Sequence, residues 1–122
     1  MQIAQKNFYK KFLGRAGERK AVEYLKKKGY EILDANFKTY VGEIDVIAKD
    51  GDCVVFVEVK TRTDDSFGAP SEAVDCKKRE KYYKVATEYL VKKYHSAEVE
   101  SRFDVIEIKN GEINHIINAF GI

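Results

Sequence analysis

"GEIDVIAKDGDCVVFVEVKTR", residues 42–62, sets two apolar runs around an Asp-Gly pair, and each run carries charge where a buried strand would carry none. Asp-Gly between apolar runs is a hairpin signal, so residues 43–48, "EIDVIA", and residues 53–60, "CVVFVEVK", are predicted as strands joined through "KDGD". Side chains alternate along a strand, which places Val54, Phe56, Glu58 and Lys60 on one face and Val55, Val57 and Val59 on the other. Glu58 and Lys60 are then about 6–7 Å apart along the strand. In the preceding strand, Glu43, Asp45 and Ile47 share a face. Which face of one strand meets which face of the other stays open, because a bulge or a one-residue slip inverts the answer.

Two readings of these charges compete. One is a charged stripe on the solvated face of a sheet. The other is a metal site: converging carboxylates are hard oxygen ligands suited to Mg²⁺ or Mn²⁺, with water and substrate phosphate completing the shell. A lysine beside them can orient or deprotonate the attacking water, or stabilise charge developing on a phosphate.

Outward from this hairpin, residues 7–28 read as a helix with Leu13, Ala16, Gly17, Ala21, Val22 and Leu25 at three- and four-residue spacing, and Gly29 supplies its stop. Glu18 interrupts that apolar face; it is either a glutamate paired at the helix edge or a further ligand reaching the sheet. Residues 30–37 suggest a first strand. The polar stretch 61–70 contains Gly68 and the chain's one proline, Pro70, and reads as a loop. Ser71 can cap a helix over 72–94 whose stripe is Val74, Val85, Ala86, Tyr89 and Leu90. "RFDVIEIK" (102–109), Asn110-Gly111 and "EINHIINAF" (112–120) read as a second hairpin. Helix, three strands, helix, two strands is the order of an α/β protein with a mixed β-sheet of about five strands flanked by two main helices, one domain over 1–122.

The 122 residues are 44% hydrophobic and 12% aromatic, which excludes a disordered chain. No apolar run is long enough for a membrane helix, and the basic N-terminus has no secretory character. Cys53 and Cys76 lack the spacing of a disulfide framework or zinc site, so a cytoplasmic, membrane-free protein is expected. The net charge of +2 conceals a pattern: basic against acidic residues number 9 to 2 over 1–30, 4 to 9 over 31–70, 7 to 4 over 71–94 and 2 to 5 over 95–122. Basic flanks around an acidic centre suit a polyanion at the rim and cations in the middle, although Lys-rich faces also simply cover surface helices.

Lys77, Lys78, Arg79, Lys81 and Lys84 form a basic cluster that can bind a nucleic-acid backbone, and Arg62, Thr61, Thr63 and Ser66 follow the charged strand where they can touch phosphate oxygens. Phe67 and Gly68 suggest a turn at the rim. Tyr82 and Tyr83 read as core rather than as stacking platforms for an unpaired base. His95 and His115 read as surface residues rather than ligands.

The order "GRAGERKA" (14–21), "GYEILDANFK" (29–38), "VGEIDVIA" (41–48), "VFVEVKTR" (55–62), "FGAPSEAVDCKK" (67–78) and "RFDVIEI" (102–108) resembles the YraN family of small bacterial proteins, predicted nucleases of the PD-(D/E)xK, or restriction-endonuclease-like, superfamily. Archaeal Holliday-junction resolvases are similar in function. The resemblance implies Asp45 as the first acid, Glu58 as the second, Lys60 as the lysine and Glu18 as the helical acid of the catalytic set. It further implies a metal shell of Asp45, Glu58 and the Val59 carbonyl around Mg²⁺ or Mn²⁺. Ile44-Asp45 stands where the superfamily has Pro-Asp, and Glu43 receives no role. DNA is the implied partner, and resolvase-like relatives work as dimers. Three functions are compatible with these residues: a metal-dependent DNA nuclease, a nucleic-acid-binding module of the same fold with little hydrolysis, and an interaction domain that touches no nucleic acid.

Overall fold

The computed structural model describes residues 16–62 and 76–121. Helix α1 (Ala16–Lys27) is followed by strands β1 (Glu31–Lys38), β2 (Glu43–Asp50) and β3 (Cys53–Arg62), helix α2 (Cys76–Tyr94), and strands β4 (Ser101–Lys109) and β5 (Glu112–Phe120). The predicted elements are present, but β2 and β3 each run two residues further than expected, and Thr61 and Arg62, expected in the loop, belong to β3 because they pair with Ile108 and Lys109 of β4; the expected starts of both helices, Ser71 and Val74, and the loop positions Thr63, Ser66, Phe67, Gly68 and Pro70 lie outside the described residues.

The strands form one sheet in sequence order, β1-β2-β3-β4-β5. Only β3 and β4 are parallel, since α2 carries the chain back between them; the other neighbours are antiparallel. Local chemistry sets the turns. Asp50 pairs with Cys53 across Gly51 at φ 60°, and Asn110 and Gly111 both have positive φ between the paired Lys109 and Glu112, as a two-residue turn of the mirror-image type requires. Gly29 at φ 91° ends α1, where the Tyr30 N–H donates to the Leu25 carbonyl and the Gly29 N–H to the Lys26 carbonyl.

Each helix covers one face of the sheet. On α1, Ala21, Val22 and Leu25 pack on Val46, Ala48, Val55, Val57, Ile106 and Ile108. On α2, Tyr82, Val85, Ala86, Tyr89 and Leu90 follow i, i+3, i+4, i+7, i+8 and pack on Ile44, Ile47, Val54, Phe56, Phe103 and Val105. The middle strand is therefore buried on both faces, which explains the unbroken apolar run Cys53–Val57. Under α2 the rings interlock: Tyr89 meets Phe37 and Phe56 edge-on, and Phe120 stacks against both Phe103 and Tyr82.

The alternation of β2 breaks at Asp45. Ile44 and Ile47 face α2 while Val46 and Ala48 face α1, so Ile44 and Val46 lie on opposite faces though two apart. Strand β1 breaks opposite it, at Asn36 with φ 52°. The β2–β3 pairs run from Asp50↔Cys53 to Val46↔Val57; beyond that, Ile44 and Glu43 continue pairing with β1, and Glu58 to Arg62 continue pairing with β4. The two strands thus part at Asp45 and Glu58.

Candidate functional site

The fork between β2 and β3 holds a cavity of about 520 Å³ whose walls include Glu18 from α1, Glu43, Asp45, Glu58 and Val59 from the strands, and Lys78 and Tyr82 from α2. Sequence spacing alone could not choose a face for Asp45. In the structure its Oδ2 accepts a hydrogen bond from the Val59 N–H at 2.9 Å, so a side chain takes the place of the lost strand pairing. Asp45 and Glu58 are also in hydrogen-bond contact with each other.

Glu58 is buried at 9% exposure, and charges gather around it. Tyr82 donates its hydroxyl to Oε1, Lys60 Nζ lies 3.1 Å and Lys78 Nζ 3.4 Å from Oε2. The open-face reading of this charged stripe does not hold for Glu58. Burial opposes its ionised form, but the hydrogen bonds from Tyr82, Lys60 and Asp45, with the Lys60 charge, outweigh that and hold its carboxyl below the usual range. For Asp45 the balance is reversed: burial, then the neighbouring Glu58 charge, pushes its carboxyl up to about 8. Burial and mutual repulsion thus oppose ionising both carboxyls together, and the two directions favour a proton on Asp45 over one on Glu58. Burial works against the Lys60 ammonium too, but the Glu58 hydrogen bond and charge raise its pKa above the ordinary lysine value.

Glu18 reaches the cavity because α1 closes tightly on β3. A Cβ on Gly17 would collide with Thr61 Oγ1, so glycine at this position lets the first turn of α1 sit against the strand and turn Glu18 inward, where it is 7% exposed.

The donor set suits a hard divalent cation: carboxylate oxygens on two diverging strands, in a buried space where ionising both is opposed and a cation would lift that opposition. Among the described residues, no three His, Cys, Asp or Glu side chains already stand at metal-ligating spacing. A cation here would take one or two carboxylates and complete its shell with water and substrate oxygens, as Mg²⁺ does.

A family model described as "Uncharacterised protein family UPF0102" matches residues 17–108, which spans α1 through β4 and every residue of the cavity. This chain belongs to the UPF0102 family. It is 48% identical to a UPF0102 protein of Caldanaerobacter subterraneus, with 94% of this chain and 99% of the relative covered. A UPF0102 protein of Alkaliphilus oremlandii is 50% identical over 90% of this chain and 98% of its own length, and one of Thermodesulfovibrio yellowstonii is 49% identical over 88% and 95%.

Other residues singled out in this UPF0102 chain fall in different places. Lys78 points at Glu58, whereas Lys77 is exposed and the Arg79 guanidinium lies over the Phe120 ring. Arg62 Nε pairs with Glu107 at 2.9 Å. Tyr82 is core, as expected, but Tyr83 is 45% exposed because its position falls between the buried rows of α2.

His115 is not a surface residue. Its side chain is 4% exposed, its Nε2 lies 2.7 Å from Asp104 Oδ2, and its Nδ1 lies 3.0 Å from the Tyr24 hydroxyl. The carboxylate partner is invisible in the spacing around His115 because β4–β5 pairing brings Asp104 to it. Asp104 is fully buried, also accepts from Arg102 and the Asn118 N–H, and is held below the usual carboxylate range by those bonds against the opposing effect of burial.

Sequence spacing alone does not indicate the partners of Glu58 on α2 or the entry of Glu43 into the cavity. A signal existed for the first: Lys78 and Tyr82 are four apart on one helix face, and a glutamate in an apolar strand demands a donor.

No helix among the described residues is long and apolar enough to cross a membrane.

Proposed function

We propose that this UPF0102 protein is a Mg²⁺- or Mn²⁺-dependent nuclease that hydrolyses phosphodiester bonds of DNA in branched or single-stranded form. The supporting observation is the fork itself, where Asp45 and Glu58 meet on diverging strands with Glu18 on the same cavity. In this reading Asp45, Glu58 and the Val59 carbonyl would hold the cation. The bound metal would polarise the scissile phosphate and acidify a water. Lys60, kept as an ammonium beside Glu58, orients that water and stabilises charge on the phosphate rather than removing a proton. Glu18 positions water from the helix side. Lys77, Lys78 and Arg79 on α2 and Arg62 at the end of β3 contact the DNA backbone, giving salt-sensitive binding.

Incubation of the protein with labelled duplex, flap, four-way and single-stranded DNA in Mg²⁺ or Mn²⁺ tests this. Cleavage is expected to need the cation and to fall by about 100-fold or more in Asp45→Ala and Glu58→Ala, as loss of a metal ligand should cause. Cleavage that persists unchanged in both variants overturns the assignment.

A second reading is a nucleic-acid-binding module without hydrolysis, favoured by the engagement of both Glu58 oxygens with Tyr82, Lys60 and Lys78. It predicts DNA binding that falls with salt, survives Asp45→Ala and is accompanied by no cleavage of any substrate.

A further inference from the structure

Beside the carboxylate cavity, and sharing Val41 with it, lies a second open hollow of about 530 Å³ on the outer face of α2. Tyr83, Thr87 and Val91, at successive four-residue steps, form one wall and Val41 the other. Val41, Tyr83 and Val91 are exposed large apolar groups, and Tyr40, next to Val41 in the β1–β2 turn, stands fully in solvent. Core packing explains none of this, because α2 already buries its opposite stripe from Tyr82 to Leu90.

The charge around the hollow narrows what can fill it. Helix α2 carries seven Lys and Arg against two Glu, far above the +2 of the whole chain. Lys84 and Lys92 flank the apolar strip, with Glu88 the one acid on it, and Lys81 lies on the carboxylate cavity next door. A ligand matching this surface has flat apolar faces joined by negative charges. A duplex buries its base faces in the stack, whereas an unpaired strand offers them.

Resting on the nuclease reading for the neighbouring cavity, we infer that the Val41–Tyr83–Val91 hollow and the Tyr40 ring receive unpaired nucleobases of a single strand whose phosphate lies at the carboxylates. The substrate class is thus a nucleic acid unpaired next to the scissile bond. Base stacking on Tyr83 and Tyr40 supplies affinity that tolerates any base, because every base has a π face. Lys84 and Lys92 hold the flanking phosphates.

The test is equilibrium binding in EDTA, where no cleavage occurs, using a fluorescent single-stranded oligothymidylate, an RNA strand of equal length, an abasic strand of equal charge and a blunt duplex. The base-bearing strands are expected to bind at least about 5-fold tighter than the abasic strand. Tyr83→Ala and Tyr40→Ala should each remove about 5-fold or more of that advantage, leaving abasic binding unchanged, while Tyr83→Phe keeps it. Equal binding of base-bearing and abasic strands, or tyrosine variants that bind like wild type, overturns the inference. Failure of the nuclease reading shows separately, as absence of cleavage in the Mg²⁺ and Mn²⁺ assays with the stacking preference in EDTA intact.

Discussion

Asp45 Oδ2 accepts the backbone N–H of Val59 at 2.9 Å, bridging β2 to the residue between Glu58 and Lys60. Beyond Val46↔Val57 this side chain takes over from strand pairing, and the fork that results is where the carboxylates gather. The bridge comes at a cost in stability, because the same carboxyl is buried against Glu58.

Asp45→Asn should therefore stabilise the metal-free protein. The folded state holds the Asp45 proton up to about pH 8, while the unfolded chain releases it near its ordinary value of 3.8, so this group weakens folding progressively as pH rises between those values. In EDTA at pH 8 the variant is expected to gain about 1 kcal/mol or more, about 3–5 °C in Tm, and to match wild type near pH 4. Added Mn²⁺ should raise the Tm of wild type only. Equal melting at both pH values would contradict the buried, protonated Asp45.

Tyr82→Phe keeps the ring stacked on Phe120 and removes the donor to Glu58. A lost hydrogen bond to a buried charge costs about 1.5–3 kcal/mol, readable as a lower urea midpoint at pH 7. Because the folded Glu58 pKa lies below 4.5, its stabilising effect is present above that value and fades as pH falls through the folded pKa, so the cost should shrink in acid.

Gly17→Ala separates helix propensity from placement. An exposed helical glycine replaced by alanine gains about 1 kcal/mol, but here the new methyl meets Thr61. The expected result is no gain in Tm together with a loss of about 10-fold or more in cleavage, since displacing a positioned group by about 1 Å has large effects. Thr61→Ser leaves the hydroxyl in place and should not rescue; Thr61→Ala should.

Asp104→Asn tests the buried network with His115 and Arg102. Removing one partner of a buried charge pair costs about 3–5 kcal/mol, a large fraction of an ordinary domain's stability. The Asp104 pKa is depressed, so its contribution holds above 3.8 and disappears as pH falls through the folded pKa; wild type and variant should converge in strong acid. Cleavage by the folded fraction should be unchanged, because Asp104 does not line the carboxylate cavity.

What the sequence by itself determined was the α/β order, both hairpins, the glycine stop of α1 and the shared face of Glu58 and Lys60. These follow from turn chemistry and from periods of 2 and 3.6, which act between near neighbours in the chain. Tertiary structure alone decided the face of Asp45, through an alternation break opposite Asn36 that no periodic pattern encodes. It also decided that Glu58 is clasped from α2, that His115 meets Asp104 inside, and that Tyr83 faces solvent beside the fork. Each of these depends on which distant segment packs against the residue. Periodicity says which side chains share a face, but only long-range packing says what that face meets.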